Sequence, residues 1–149
     1  MPASYSDPPR DANQRVVPHD DAAIPGTEYV LRYVHSAQLM PAENGGRRLS
    51  SGVFSPSSPE RDPYKGMSIN FLNLMERDRI APEGYKGPEF EGVIKVRVAD
   101  IRRITLRVGT DPLPEDAYHG NVWDLRTRSH KRDLMACFEW VQRPPDVAE

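Results

Sequence analysis

Cysteine is almost absent: Cys137 is the single one in 149 residues, so no disulfide can form within the chain. The first residues carry neither the basic n-region nor the apolar h-region of a secretory signal. Together these point to a reducing, cytosolic setting. No apolar run approaches the ~18 residues that a membrane span needs, so a membrane is not expected as partner. Charge of one sign is also lacking. With 20 basic and 22 acidic residues the formal net charge is −2, which leaves no global field for nucleic acid or anionic lipid. Motifs are lacking too. There is no phosphate-binding glycine loop with Lys-Ser/Thr, no paired-cysteine zinc spacing, no HExxH and no GxSxG. Nothing in the sequence names a cofactor. The four histidines, His19, His35, His119 and His130, have no ligand spacing among themselves, so no metal site is expected.

What is present suits one domain, because 38% hydrophobic residues in a chain of this length fill one core and not two. Residues 1–26 hold Pro2, Pro8, Pro9, Pro18 and Pro25 with few large apolar groups, and read as a disordered or extended arm. His19-Asp20-Asp21 within it reads as a solvated polar stretch. The globular domain is expected over 27–143, with 144–149 as a tail.

Thr27–His35 alternates as a strand, with Tyr29, Leu31 and Tyr33 on one face and Val30, Arg32 and Val34 on the other. Apolar groups on both faces place it inside a sheet. Residues 36–66 are rich in Gly, Ser and Pro and read as a long loop, mobile over 41–66. Asn44-Gly45-Gly46-Arg47 marks a turn there. Met67–Phe71 alternates as a short strand and Leu72–Ile80 as a helix, the alternative being one helix capped by Ser68. Val93–Val98, Ile104–Val108 and Tyr118–Leu125 read as strands, with a turn or one helical turn over Ala99–Arg103. Ser129–Gln142 reads as an amphipathic helix with Leu134, Phe138 and Val141 at helical spacing, stopped by Pro144-Pro145. Cys137 falls in its apolar half as a small hydrophobe. The fold class is α+β: a small, mainly antiparallel sheet with one short middle helix and one C-terminal helix.

Two groups of side chains carry candidate chemistry. Arg32, His35 and His119 are the candidate catalytic residues, with Arg47, Arg48, Ser50 and Ser51 as binding residues beside them. Histidine moves protons near neutral pH and arginine grips phosphate or carboxylate through two bonds. Arg32 and His35 are an odd number apart, so they converge only if the strand bulges or ends at Val34. The second group is Arg126, Arg128, Lys131 and Arg132 around the start of the last helix. Cations there oppose the helix dipole unless an anion is bound.

LRYVHS (Leu31–Ser36), GRRLSS (Gly46–Ser51) followed by Phe54, MSINF (Met67–Phe71), and DPLP (Asp111–Pro114) followed by His119 and Val122 are together similar to a group of small bacterial proteins without an assigned activity. That resemblance implies a compact bacterial domain and brings no reaction with it. The strand bearing Arg32 and His35, the polar loop and Ser50-Ser51 also resemble ADP-ribosyltransferase domains. That likeness implies that Arg32 or His35 holds a dinucleotide, with Ser50 and Ser51 beside it. The His-Tyr-Glu pattern of that class is not matched, since no glutamate is placed.

Three functions are consistent with these residues, and the sequence leaves open whether the protein is an enzyme. The first is a cytosolic binding or adaptor domain with another protein as partner, accessory to a toxin or phage-defence system. The second is an enzyme acting on a nucleotide, NAD or RNA, with a phosphate-bearing ligand in an Arg/His pocket. The third is a nucleic-acid-binding module using 126–132.

Overall fold

The computed structural model describes residues 5–148. Along the chain come β1 (Tyr29–His35), β2 (Leu39–Pro41), β3 (Arg47–Leu49), β4 (Met67–Phe71), α1 (Leu72–Arg77), β5 (Phe90–Arg97), α2 (Val98–Arg103), β6 (Arg107–Thr110), β7 (His119–Trp123), α3 (Arg128–Met135) and β8 (Glu139–Gln142). Six strands form an antiparallel sheet in the order β6-β7-β4-β1-β5-β8, while β2 and β3 form a separate hairpin. The fold is α+β, as the strand-rich middle of the chain implies.

β1 is apolar on both faces because it lies inside the sheet, between β4 and β5. Val30, Val34, Ile69, Phe71, Ile94 and Val122 turn one way, into the larger core with Phe54, Ile101 and Leu134. Leu31, Tyr33 and Val93 turn the other way, against Leu72 and Met75 of α1. Full burial of side chains as large as Phe54, Phe71 and Ile69 contributes about 1.5–3 kcal/mol each.

Several expectations change. The described part of the arm, residues 5–26, is irregular as its prolines require, yet it is packed on the sheet. Ile24 is fully buried and Val16 nearly so. Asp21 donates its amide to Val108 O, and Asp20 Oδ1 accepts from Val108 N, so the segment runs along the outer edge of β6. Two apolar anchors, one backbone bond and one bond to the Asp20 carboxylate hold it, although its composition is that of a free arm. The chain end is likewise tied down: Val147 is buried and bridges Arg47, whose guanidinium grips Asp146.

The segment 36–66 is not structureless. Gly45 and Gly46, both at positive φ, close the β2–β3 hairpin at the predicted turn, and Leu49, Val53 and Phe54 plug into the core. Ser68 lies in β4, not at a helix cap. At the C-terminal end the helix stops at Met135, and Glu139–Gln142 becomes β8, paired with β5 through Lys95↔Glu139 and Ile94↔Trp140. Phe138, Trp140 and Val141 have strand preference, and the open edge of β5 offered a ladder that helical spacing alone does not reveal. The strand predicted over Ile104–Val108 starts later, at Arg107, because Ile104 closes α2 and Thr105 takes a positive φ.

Candidate functional site

The site begins with a gap in the sheet. β1 and β4 are paired only at Val30↔Phe71 and Leu31↔Asn70. Beyond that point the strands part and the ladder is replaced by side chains. Arg32 reaches across, donating from Nη1 to Ser68 O (2.9 Å) and Ser57 Oγ (3.1 Å), from Nε to Val53 O (3.0 Å) and from Nη2 to Ser55 O (3.3 Å). The Ser68 amide, which would otherwise face β1, donates to Ser57 Oγ at 2.8 Å. Every acceptor of Arg32 is a neutral oxygen. Burial lowers its pKa to about 10, and no ion pair to it occurs among the described residues. Part of the side chain nevertheless opens into the cleft.

Two clefts flank this gap. One, of about 340 Å³, is lined by Arg32, His35, Tyr33, Asn70, Lys86 and Phe90 among others. The second, of about 280 Å³, is lined by His119, Asn121, Asp111 and Arg61. Ser57 and Ser68 line both and form the wall between them. The β1 pairing with β5 shifts register between Val34 and His35. This is the irregularity that Arg32 and His35 need to share a cleft. His35 stands edge-on to Phe90, ring centres 5.9 Å apart.

His119 is buried in the second cleft. Its Nδ1 lies 2.7 Å from Asp111 O and its Nε2 3.1 Å from Ser68 Oγ. A carbonyl can only accept, so Nδ1 donates to it, and in that tautomer Nε2 accepts from the Ser68 hydroxyl. Asn121 donates to Asp111 Oδ2 at 2.7 Å and steadies the loop that orients the imidazole.

Asp116 lies outside the cleft lining and is bonded to two residues of it, Asn70 and Lys86. It accepts from Asn70 Nδ2 (2.9 and 2.8 Å), the Tyr85 hydroxyl (2.8 Å), Lys86 Nζ and the Tyr118 amide. Burial pushes its pKa up, but Lys86, Asn70 and Tyr85 outweigh it, and the net direction is down.

The remaining predicted residues lie elsewhere. Arg47 is held by Glu91 and Asp146, a clamp between β3, β5 and the chain end. Arg48 is exposed on the hairpin. Ser50 caps a short turn by accepting from Gly52 N. Ser51 lines a separate concavity of about 480 Å³ with Arg128, Lys131, Arg132 and Met135. Arg126 points to Asp124 instead, at 3.9 Å. The structure therefore brings Arg32, His35 and His119 to two adjoining clefts, and separates them from the Ser50-Ser51 pair. In the N-terminal segment Asp20 pairs with Arg102 and Asp21 accepts from backbone amides, and no metal-holding cluster occurs among the described residues.

Ser57, Ser68, Asn70, Lys86 and Asp116 were not singled out from sequence. A signal for two of them exists: Ser68 and Asn70 alternate with Met67, Ile69 and Phe71, so polar groups occupy the face opposite the core of a central strand. No described helix is long and apolar enough to cross a membrane. The protein is thus an antiparallel α+β domain with a polar cleft at a parting of its sheet. Comparison with family models, with curated proteins and with solved structures finds no match to this chain.

Proposed function

We propose that the paired clefts are the ligand site of a cytosolic enzyme acting on a phosphate-bearing, nucleotide-class compound, with the anionic group set against Arg32. One observation carries this reading: the Arg32 guanidinium is withdrawn from water, has no acidic partner among the described residues, and borders an open cleft. A cation held this way is costly unless an anion joins it. After its bonds to Val53, Ser55, Ser57 and Ser68, one Nη2 N–H of Arg32 is left to donate a charge-assisted bond to a phosphate oxygen. Phe90, Tyr33 and His35 supply ring surfaces beside it, suited to a base. The lone Cys137 is consistent with a reducing compartment, and burial pushes its thiol up, away from reactivity.

The test is calorimetric titration with AMP. Wild type should bind, Arg32→Lys should keep part of the affinity, and Arg32→Gln should lose ~10- to 100-fold, the value of a charge-assisted bond. Equal affinity in wild type and Arg32→Gln, or no binding of AMP by wild type, would overturn the reading.

A second reading, an adaptor that docks an acidic partner protein, is favoured by Arg128, Lys131 and Arg132. These three line one concavity and form no ion pair among the described residues.

A further inference from the structure

We propose that Ser68 and His119 are a nucleophile and general-base pair that cleaves acyl esters bound across the two clefts, by way of a covalent seryl intermediate. This rests on the clefts being a ligand site, and it adds the reaction and the substrate class: a carboxylic ester whose remainder carries a phosphate.

Three features place the chemistry. The Ser68 hydroxyl lies 3.1 Å from His119 Nε2, within reach of proton transfer, and the Asp111 carbonyl at 2.7 Å from Nδ1 leaves Nε2 as the free base. A main-chain carbonyl here does the orienting that a carboxylate does in other serine–histidine sites. Ser68 lines both clefts, and its hydroxyl meets His119 on the side of the second. Finally, Ser57 Oγ accepts from the Ser68 amide and from Arg32, which leaves its own proton to donate. That proton, beside the Ser68 backbone, can meet the oxyanion that develops on the ester carbonyl.

Atoms balance without an added oxidant or reductant. Ser68 Oγ bonds to the acyl carbon and its proton passes to His119 Nε2. The carbon–oxygen bond to the alcohol breaks, and the alcohol oxygen takes the proton from His119. Water then repeats the sequence: its oxygen bonds to the acyl carbon, its proton goes to His119, and Ser68 Oγ leaves with that proton. The net change is ester plus water to acid plus alcohol. The phosphate of the substrate would sit on the Arg32 side.

The test uses the full chain and an uncharged alkyl fluorophosphonate, read by intact mass and peptide mapping. One adduct on Ser68 is expected, absent in Ser68→Ala and slowed ~100-fold or more in His119→Gln. Because His119 is buried, its variant is first checked by circular dichroism. An independent arm is Ser68→Cys: the thiol it introduces should react with iodoacetamide at least ~10-fold faster than Cys137, because His119 can take its proton. Absence of an adduct, an adduct on another residue, a folded His119→Gln that labels at the wild-type rate, or equal alkylation of the two thiols would each overturn the pair. The probe carries no phosphate charge, so labelling can fail while AMP binds, and AMP binding can fail while labelling succeeds.

Discussion

Glu28 is fully shielded from solvent and accepts three hydrogen bonds, from the Tyr5 hydroxyl (2.6 Å) and from the amides of Tyr29 and Asn73 (2.7 Å each). Burial raises its pKa despite those bonds, whereas Asp116, equally enclosed but bonded to Lys86, is lowered. The consequences for stability have opposite signs. For Glu28, the contribution is full below the ordinary carboxyl range and is lost as pH rises through the raised value. For Asp116, it is present above the ordinary range and is lost as pH falls through the depressed value. Thermal melts from pH 3 to 7 should therefore diverge. Glu28→Gln, which mimics the neutral acid, should gain on wild type as pH rises. Asp116→Asn should fall furthest behind near pH 7, and Asp116→Ala should lose about 3 kcal/mol there by stranding Lys86 and Asn70. At this scale the sequence exposes residue types without their partners. Arg32 on a central strand is readable as unusual, but Ser57 and Asp116 acquire meaning only when Ser68, 11 positions on, and Asn70, 46 positions back, are brought to them.

Elements with clean alternation were legible. β1, β4 and β5 lie where period-two patterns put them, β7 falls within the strand expected over Tyr118–Leu125, and α1 follows the period of Leu72 and Met75. Elements of three residues were not, since Leu39–Pro41 and Arg47–Leu49 are too short to show a period. The C-terminal region misled for another reason. Leu134, Phe138 and Val141 satisfy helical spacing, yet the chain leaves the helix after Met135 and spends the rest on the edge of β5. The shorter α3 changes what its cations do. Thr127 caps the helix through His130 N, Arg128 opposes the dipole at its first turn, and Arg132 favours it at its last. Those two effects offset one another. Replacing Arg128, Lys131 and Arg132 together by Gln should leave the urea midpoint unchanged, while elution from a heparin column shifts to lower salt. An unchanged elution point would remove α3 as a docking surface.

For the whole molecule, the N-terminal segment matters more than its composition suggests. It places Ile24 in the core, gives Thr110 Oγ1 an acceptor at Ser6 O, and sets His19 against Trp123 with ring centres 5.1 Å apart. Deleting residues 1–26 should lower the melting temperature by roughly 10 °C or more, because burial of Ile24 and Val16 alone is worth about 3–5 kcal/mol. Calorimetry on the truncated chain checks this, and a loss of only a few degrees would mean that the segment merely rests on the sheet.

The same strap has a kinetic consequence. Its bond between Val108 N and Asp20 Oδ1 spans 88 positions, and the one between Thr110 and Ser6 spans 104. Residues 5–26 are therefore made early by the ribosome but have nowhere to dock until β6 and β7 exist. Closure of this edge cannot precede the synthesis of β6 and β7. Such distant pairing puts the chain among slow folders, on the order of milliseconds to seconds. In that interval the outer rim of β6 is open to the backbone of another nascent copy.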